Sequence, residues 1–197
     1  MEVVRNERFT AEDWALVEWD RAQYEDCAFH DVDFSEARLT GCTFAHCHFG
    51  NVRFNAAELM TCAILQSEFQ RCSFFDARLT ECKFTGSQFV DCGLRPLTVE
   101  GGDFSFVSLR GQNLTAAKLG GLRLREADLT GADLTRVDLR GADLSGAHLK
   151  DVVLKGTDLR GADLNGVALR GVDLTGAKID LAQAALVATA YGAVVGD

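Results

Sequence analysis

Metal-ligating residue types meet at one point of the chain, where the sequence reads His46-Cys47-His48. Imidazole nitrogens and thiolates are the ligands that zinc prefers, so this string has the composition of part of a zinc site. Zinc also requires its ligands to converge. The pattern of the neighbouring residues predicts that Cys47 points inward while His46 and His48 point outward, so we expect no metal site here.

Carboxylates form the second group with chemical potential. Aspartate recurs immediately before an apolar residue through the C-terminal half of the chain, as Asp128, Asp133, Asp138, Asp143, Asp158, Asp163 and Asp173. General acid–base catalysis needs carboxylates that converge in a cleft, whereas these are spaced regularly along a surface. They either accept hydrogen bonds from backbone amides at corners or present negative charge to a partner. We therefore expect no catalytic residue, no cofactor and no enzymatic activity.

The element that positions all these residues is a repeat of five. An apolar residue occupies every fifth position from Tyr24 to Ile179 without a break. On a helix this column would wander around the cylinder, and on a flat strand it would alternate between the faces. A chain that bends every five residues toward one interior satisfies the pattern, and four bends close a square coil. The prediction is a stack of about eight coils, roughly 38 Å long at strand spacing.

A second inward column lies two residues before each of these apolar centres. It holds small or apolar residues, and it includes all seven cysteines of the chain. We interpret these cysteines as small hydrophobes with free thiols, because their side chains run parallel in the stack and a cytoplasmic setting keeps thiols reduced. Two residues after the centre, glycine becomes common in the second half, as expected at tight corners.

Segments such as Ala132-Asp133-Leu134-Thr135-Arg136 and Ala142-Asp143-Leu144-Ser145-Gly146 have the form of an A(D/N)LXX unit. This repeat resembles that of the pentapeptide-repeat family over roughly residues 22–179. The resemblance implies an all-β solenoid, specifically a right-handed quadrilateral β-helix, which we assign to residues 22–179.

Residues 1–21 are predicted to form an N-terminal cap. Glu7 and Glu12 occupy inward positions there, and burying unpaired carboxylates is costly, so we expect true coils to begin near residues 17 to 22. A one-turn helix opened by Thr10 is one form of such a cap. The single proline, Pro96, predicts a local irregularity, with a cis bond as one form, that leaves the register intact.

Residues 180–197 are predicted to form a C-terminal helix and tail. Asp180 is a good N-cap, Gln183 completes a capping box, and the helix should end near Gly192. One face covers the last coil, and the remaining apolar surface favours a twofold homodimer over a simple monomer cap. The predicted dimer contacts are Leu181, Ala184, Ala185, Leu186, Ala188 and Tyr191.

Charge and hydropathy constrain the partners. The formal net charge is −9 and the sequence pI is about 4.9, which disfavours direct binding of nucleic acid. No N-terminal segment resembles a signal peptide and no apolar run is long enough to cross a membrane. We expect a cytoplasmic protein.

A closer resemblance rests on the stretch Gly93-Leu94-Arg95-Pro96-Leu97-Thr98 followed by Asp103-Phe104, and on the ending Ile179-Asp180-Leu181-Ala182-Gln183-Ala184. Both are similar to the MfpA-type, Qnr-related group of gyrase-interacting quinolone-resistance proteins. The unbroken register favours the type without long projecting loops. The resemblance implies a homodimer that mimics DNA, binds DNA gyrase and protects it from quinolones or a related gyrase poison.

At twenty residues per coil, the acidic residues of the C-terminal half should form rows near the centre of such a dimer. Asp103, Asp143 and Asp163 should share one face and Asp138 and Asp158 another. The predicted gyrase-binding surface is Asp103, Glu126, Asp128, Asp133, Asp138, Asp143, Asp158 and Asp163. The alternative is a pentapeptide-repeat scaffold for an unrelated protein partner.

Overall fold

The computed structural model describes residues 3–196, which form a stack of coils closed at one end by a helix. Each coil is built from short strands separated by bends. The strands are β1 (Val3–Arg5), β2 (Arg8–Thr10), β3 (Glu18–Asp20), β4 (Gln23–Glu25), β5 (Ala28–His30), β6 (Arg38–Thr40), β7 (Thr43–Ala45), β8 (His48–Gly50), β9 (Glu58–Met60), β10 (Ala63–Leu65), β11 (Glu68–Gln70), β12 (Ala77–Thr80), β13 (Gln88–Val90) and β14 (Leu97–Glu100). The helix is α1 (Leu181–Ala190).

All strand pairs are parallel and join residues twenty positions apart, so the predicted coil length is confirmed. Three sheets have the orders β1-β4-β7-β10, β2-β5-β8-β11-β13 and β3-β6-β9-β12-β14. The fourth face is held by single-residue bridges, such as Asp13 to Asp33. Beyond Glu100 every face continues as single bridges, and one series ends with Asp158 opposite Lys178.

Most corners are made by a residue with positive φ two positions after a centre. Asp26 (φ 54°) and Arg71 (φ 52°) show that non-glycine residues adopt this conformation in the N-terminal half. Gly102 is different, since its φ is +104° and a Cβ would lie 2.2 Å from the carbonyl oxygen of Cys82. Only glycine fits that approach of two backbones.

The five-residue column is the core. Phe29, Phe49, Phe69 and Phe89 lie directly above one another, with stacked rings whose centroids are 4.8, 4.6 and 4.8 Å apart. Their side chains are almost completely buried. From residue 109 leucine replaces phenylalanine at the centres, and these leucines are equally buried as far as Leu169. The stacking distance equals the strand spacing, so one residue per coil fills the interior of each face.

The cysteines are free and lie in the inward column, as predicted, but they do more than fill space. The Cys62 thiol lies 3.2 Å from the carbonyl oxygen of Leu39 in the preceding coil and 3.5 Å from that of Met60. The other six cysteines make the same pair of contacts, and Ser67 and Gln112 use the same carbonyl positions. The column therefore supplies hydrogen-bond donors to carbonyl groups that turn inward at the corners.

The first coil begins earlier than the sequence predicts. β1 pairs with β4 and β2 pairs with β5, so Thr10 ends a strand and the proposed helical turn at this residue is wrong. Glu7 and Glu12 are both exposed. The burial cost that suggested a separate cap over residues 1–21 therefore does not arise at these two carboxylates.

The irregularity at Pro96 is confirmed, and the Arg95–Pro96 peptide bond is cis. β14 begins at the next residue and pairs Leu97 with Ala77, so the register continues as predicted.

The C-terminal helix has the predicted caps. The Asp180 side chain accepts from the amide of Gln183, and the Gln183 side chain accepts from the amide of Asp180, both at 3.0 Å. Gln183 is buried, and its amide nitrogen donates to the carbonyl oxygens of Leu159 and Ala162 in the coil below. Gly192 follows the helix with φ 91°. Within residues 3–196 no helix is both long and apolar enough to cross a bilayer.

Candidate interaction surfaces

Asp103, Asp143 and Asp163 share one face, as predicted, in a row that we call the Asp103 row. The bridges run from Asp103 to Arg123, from Arg123 to Asp143 and from Asp143 to Asp163. Arg123 thus stands between two aspartates, and its Nε lies 3.3 Å from the Asp103 carboxylate. Asp143 and Asp163 have no ion-pair partner within the part of the chain that the structure describes. The unpaired negative charge of this row therefore lies toward its C-terminal end.

Glu126 lies at the corner beside this row. A Cβ at Gly146 would be 2.7 Å from the Glu126 carboxyl carbon, so the glycine of the next coil leaves room for this side chain. Glu126 is exposed, and it extends the negative surface of Asp143 and Asp163 around the corner.

Asp138 and Asp158 lie on another face, also as predicted, between Lys118 and Lys178 in a row that we call the Asp138 row. Arg140 donates to both oxygens of Asp138 at 2.9 and 2.7 Å. Arg160 holds Asp158 in the same way at 2.9 and 2.6 Å, and its hydrogen bond lowers the pKa of Asp158 to about 2. Together with Arg140 and Arg160, this row carries no net negative charge.

The two remaining aspartates of the predicted surface are on the other faces. Asp128 pairs with Arg110 at 3.0 Å and stands in a row with Ser108 and His148. Asp133 bridges Asn113 and Val153. The structure therefore distributes the predicted acidic residues over all four faces of the coil instead of gathering them on one side.

All seven aspartates of this set share one structural role. One carboxylate oxygen of each accepts a hydrogen bond from the backbone amide two residues ahead, at distances between 2.9 and 3.3 Å. At Asp143 the hydroxyl and amide of Ser145 lower the carboxyl pKa, so the group is ionised at neutral pH. The predicted hydrogen bond to a backbone amide at the corner is thus present at each of these seven positions, and a role in binding would come in addition to it.

The C-terminal end of the rod exposes apolar side chains. Leu181 is 90% exposed, Tyr191 62% and Val194 98%. Of the other predicted dimer contacts, Ala184 is exposed and Ala185 and Ala188 are half-buried. Leu186 packs against the core together with Val187 and Ala190, so its main contact is with the last coil.

Within the described residues, positions 166–175 of the last coil form no β-bridge to the preceding coil. In the described residues no bridge joins His148 to Ala168 or Val153 to Asp173, whereas the equivalent pairs one coil earlier are bridged. A cleft of about 930 Å³ opens between this segment and the preceding coil, lined in part by His148, Lys150 and Arg170.

The histidines all point outward, as predicted, and Cys47 is buried, so the His46-Cys47-His48 string does not converge. Sequence reasoning missed a different juxtaposition: the rings of His30 and His48 lie with their centroids 5.2 Å apart and their planes tilted by 48°. Eighteen residues separate them, so only the coil length, used to align successive coils, could have revealed the pair.

These features define a right-handed quadrilateral β-helix, a class of solenoid that serves as a structural or interaction scaffold. Family models described as pentapeptide repeats match residues 17–59, 102–141 and 138–176. The chain belongs to the pentapeptide-repeat family.

Comparison with curated protein sequences gives no significant match. Among solved structures, trypsin-treated QnrB1, a plasmid-mediated fluoroquinolone resistance protein, is 22% identical with a TM-score of 0.77, and the alignment covers 98% of each chain. Full-length QnrB1 gives 22% and 0.61, covering 98% of this chain and 100% of that one. HetL of the cyanobacterium Nostoc sp. strain PCC 7120, involved in heterocyst differentiation regulation, gives 21% and 0.61, covering 89% of this chain and 86% of that one. At these identities the likeness shows the fold.

Proposed function

We propose that this protein is a DNA mimic that binds DNA gyrase, modulates its activity and protects it from quinolones or a related gyrase poison. The observation that carries the proposal is a coiled rod of net charge −9 whose carboxylates Glu126, Asp143 and Asp163, which form no ion pair in the described residues, adjoin along one edge. A surface that contacts DNA phosphates uses lysine and arginine, so it attracts such a rod.

The resemblance to gyrase-interacting members of the family supports this reading, and the full-length alignment with QnrB1 is consistent with it. The charge argues against direct nucleic-acid binding, because the rod repels phosphates. The protein acts in the cytoplasm in this proposal, where it meets gyrase. It binds its partner and carries out no reaction.

The proposed active form is a homodimer joined through α1 at the C-terminal end. Its support is the exposed apolar surface of Leu181, Tyr191 and Val194, which is costly to leave in water. A twofold contact there doubles the length of the rod and places the acidic rows of both subunits near its centre.

A gyrase supercoiling and cleavage assay with and without ciprofloxacin tests the proposal. We expect the protein to inhibit supercoiling and to reduce quinolone-induced cleavage, with both effects weakening as salt rises. Titration of the protein against labelled duplex DNA is the control, and it should give no complex. Absence of any effect on gyrase at low salt would refute the proposal.

That outcome would favour the second candidate, a scaffold for an unrelated protein partner. HetL supports this alternative, because a protein with the same fold is described as involved in heterocyst differentiation regulation. Affinity capture from the source organism would then identify the partner.

A further inference from the structure

The outer surface of the N-terminal half carries two neighbouring histidines, His30 and His48, whose rings both lie beside Gly50. Gly50 is buried, and a Cβ built on it would lie 2.7 Å from Nδ1 of His30 and 3.4 Å from Nε2 of His48. The φ of Gly50 is outside the left-handed region, so the backbone itself does not require glycine there. The missing side chain leaves the space into which two ring nitrogens point.

A carboxylate orients one of the two rings. Nδ1 of His48 lies 3.4 Å from Oε2 of Glu68, and the other oxygen of Glu68 accepts from the side chain of Gln70 at 2.7 Å. In the tautomer with the proton on Nδ1, that proton faces this carboxylate and the lone pair of Nε2 is free to bind a ligand. Histidine ligands of metal ions are oriented by carboxylates in this way.

We propose that Nδ1 of His30 and Nε2 of His48 bind one divalent d-block cation of the zinc class over Gly50. Two imidazoles on one tetrahedral ion, with metal–nitrogen distances of about 2.1 Å, have ring centroids about 5 Å apart. The observed separation is 5.2 Å, so the rings need little movement. Imidazole suits zinc, copper and nickel, and the hard cations magnesium and calcium prefer oxygen.

The site offers two protein ligands, and water or a group from another molecule completes the coordination. No set of three or more ligating side chains converges anywhere in residues 3–196, so binding is weaker than at a structural zinc site. His48 is partly exposed, with a third of its side chain accessible, and an ion can reach it directly.

His148 provides a control for the arrangement of His30, His48 and Gly50. His148 stands in the same row as His48 five coils later, where Thr130 replaces His30 and Lys150 replaces Gly50. His148 therefore occupies the same position of the coil, in a row held by single bridges, without a neighbouring imidazole and without the open space.

Isothermal titration of the full chain with Zn²⁺, together with the visible absorption of added Co²⁺, tests the proposal. We expect one ion per chain in the native protein. His30→Gln, His48→Gln and Gly50→Ala should each weaken binding at least tenfold, whereas His148→Gln should leave it unchanged. Glu68→Gln should weaken it by about tenfold, because the ring of His48 loses its orienting partner. Cys92→Ser should bind normally, which excludes the half-buried thiol.

A gain-of-site variant makes the test independent of loss by misfolding. Thr130→His with Lys150→Gly places a second imidazole and the open space beside His148, without a counterpart of Glu68, so we expect a second ion per chain that binds more weakly than the first. The proposal is wrong if His148→Gln weakens binding as much as His48→Gln does. It is equally wrong if native protein binds zinc no better than the His30→Gln/His48→Gln variant.

Discussion

The thiol of Cys62 donates to the carbonyl oxygen of Leu39 at 3.2 Å, across two successive coils and twenty-three residues of sequence. Both residues are buried. Cysteine therefore acts as a hydrogen-bond donor inside an otherwise apolar column, and the same contact is present at all seven cysteines.

Removal of this donor should destabilise the rod. Cys62→Ala leaves the Leu39 carbonyl without its side-chain partner, and we expect a loss of about 1–3 kcal/mol in the free energy of unfolding. Cys62→Ser should be close to native, because Ser67 already makes the equivalent bonds in the same column. Denaturant titration measures both, and equal stability of the alanine and native proteins would show that the thiol only fills space.

Two neighbouring residues of β9 test the inward column directly. Leu59 is 3% exposed and Met60 43%. Leu59→Asp places an unpaired carboxylate inside the coil at a cost of several kcal/mol, so we expect no folded protein. Met60→Asp is the control and should fold with a nearly native melting temperature, as followed by circular dichroism. A folded Leu59→Asp variant of native stability would contradict the architecture.

The proposed gyrase surface can be assigned to a face with charge-matched variants. Asp143→Asn/Asp163→Asn removes two unpaired charges from the Asp103 row, and Asp138→Asn/Asp158→Asn removes two arginine-paired charges from the Asp138 row. Asparagine keeps the corner hydrogen bond in both. We expect the first variant to inhibit gyrase supercoiling several-fold less than the second. Equal inhibition by both variants at every salt concentration would mean that these rows are not the contact.

The C-terminal end offers a pair of leucines with different surroundings. Leu181→Arg alters a side chain that is exposed in the monomer, so light scattering should give half the native mass with an unchanged melting temperature. Leu186→Arg disturbs the packing of α1 on the last coil and should lower the melting temperature as well. A native dimer formed by Leu181→Arg would place the interface elsewhere.

Acid should loosen the rod through its corner aspartates. The Arg160 guanidinium lowers the pKa of Asp158 to about 2, below the value of about 3.9 for a free aspartate. A lowered pKa means that the stabilisation is complete above pH 4 and is lost as the pH falls toward 2. Asp158→Asn should therefore show a smaller fall in melting temperature between pH 5 and pH 2 than the native protein. An identical fall would show that this carboxylate is not coupled to folding.

The repeat made most of the fold predictable. The position of Phe69 or Leu134 in the five-residue repeat is enough to predict that the side chain is buried. The coil length of twenty residues then predicts that Asp143 lies beside Asp163. The repeat does not predict contacts that depend on the direction of a side chain. The bond from Cys62 to Leu39 requires the carbonyl to turn inward, and the His30–His48 pair requires the glycine between them. Glu7 occupies an inward position of the repeat and is nevertheless exposed, so position in the repeat alone does not determine burial in the first coil.

Each coil contacts only the coils before and after it. The stability of a coil in this rod therefore depends on its own contacts and on whether its neighbours are folded. The N-terminal half is tied by continuous strand ladders and stacked phenylalanine rings, whereas the C-terminal half is held by single bridges and leucines. In the described structure, residues 166–175 already lack bridges to the preceding coil. Unfolding should therefore begin near the helix and proceed coil by coil toward the N-terminus. The coils with stacked phenylalanines should open last and serve as the template on which the rest of the chain refolds.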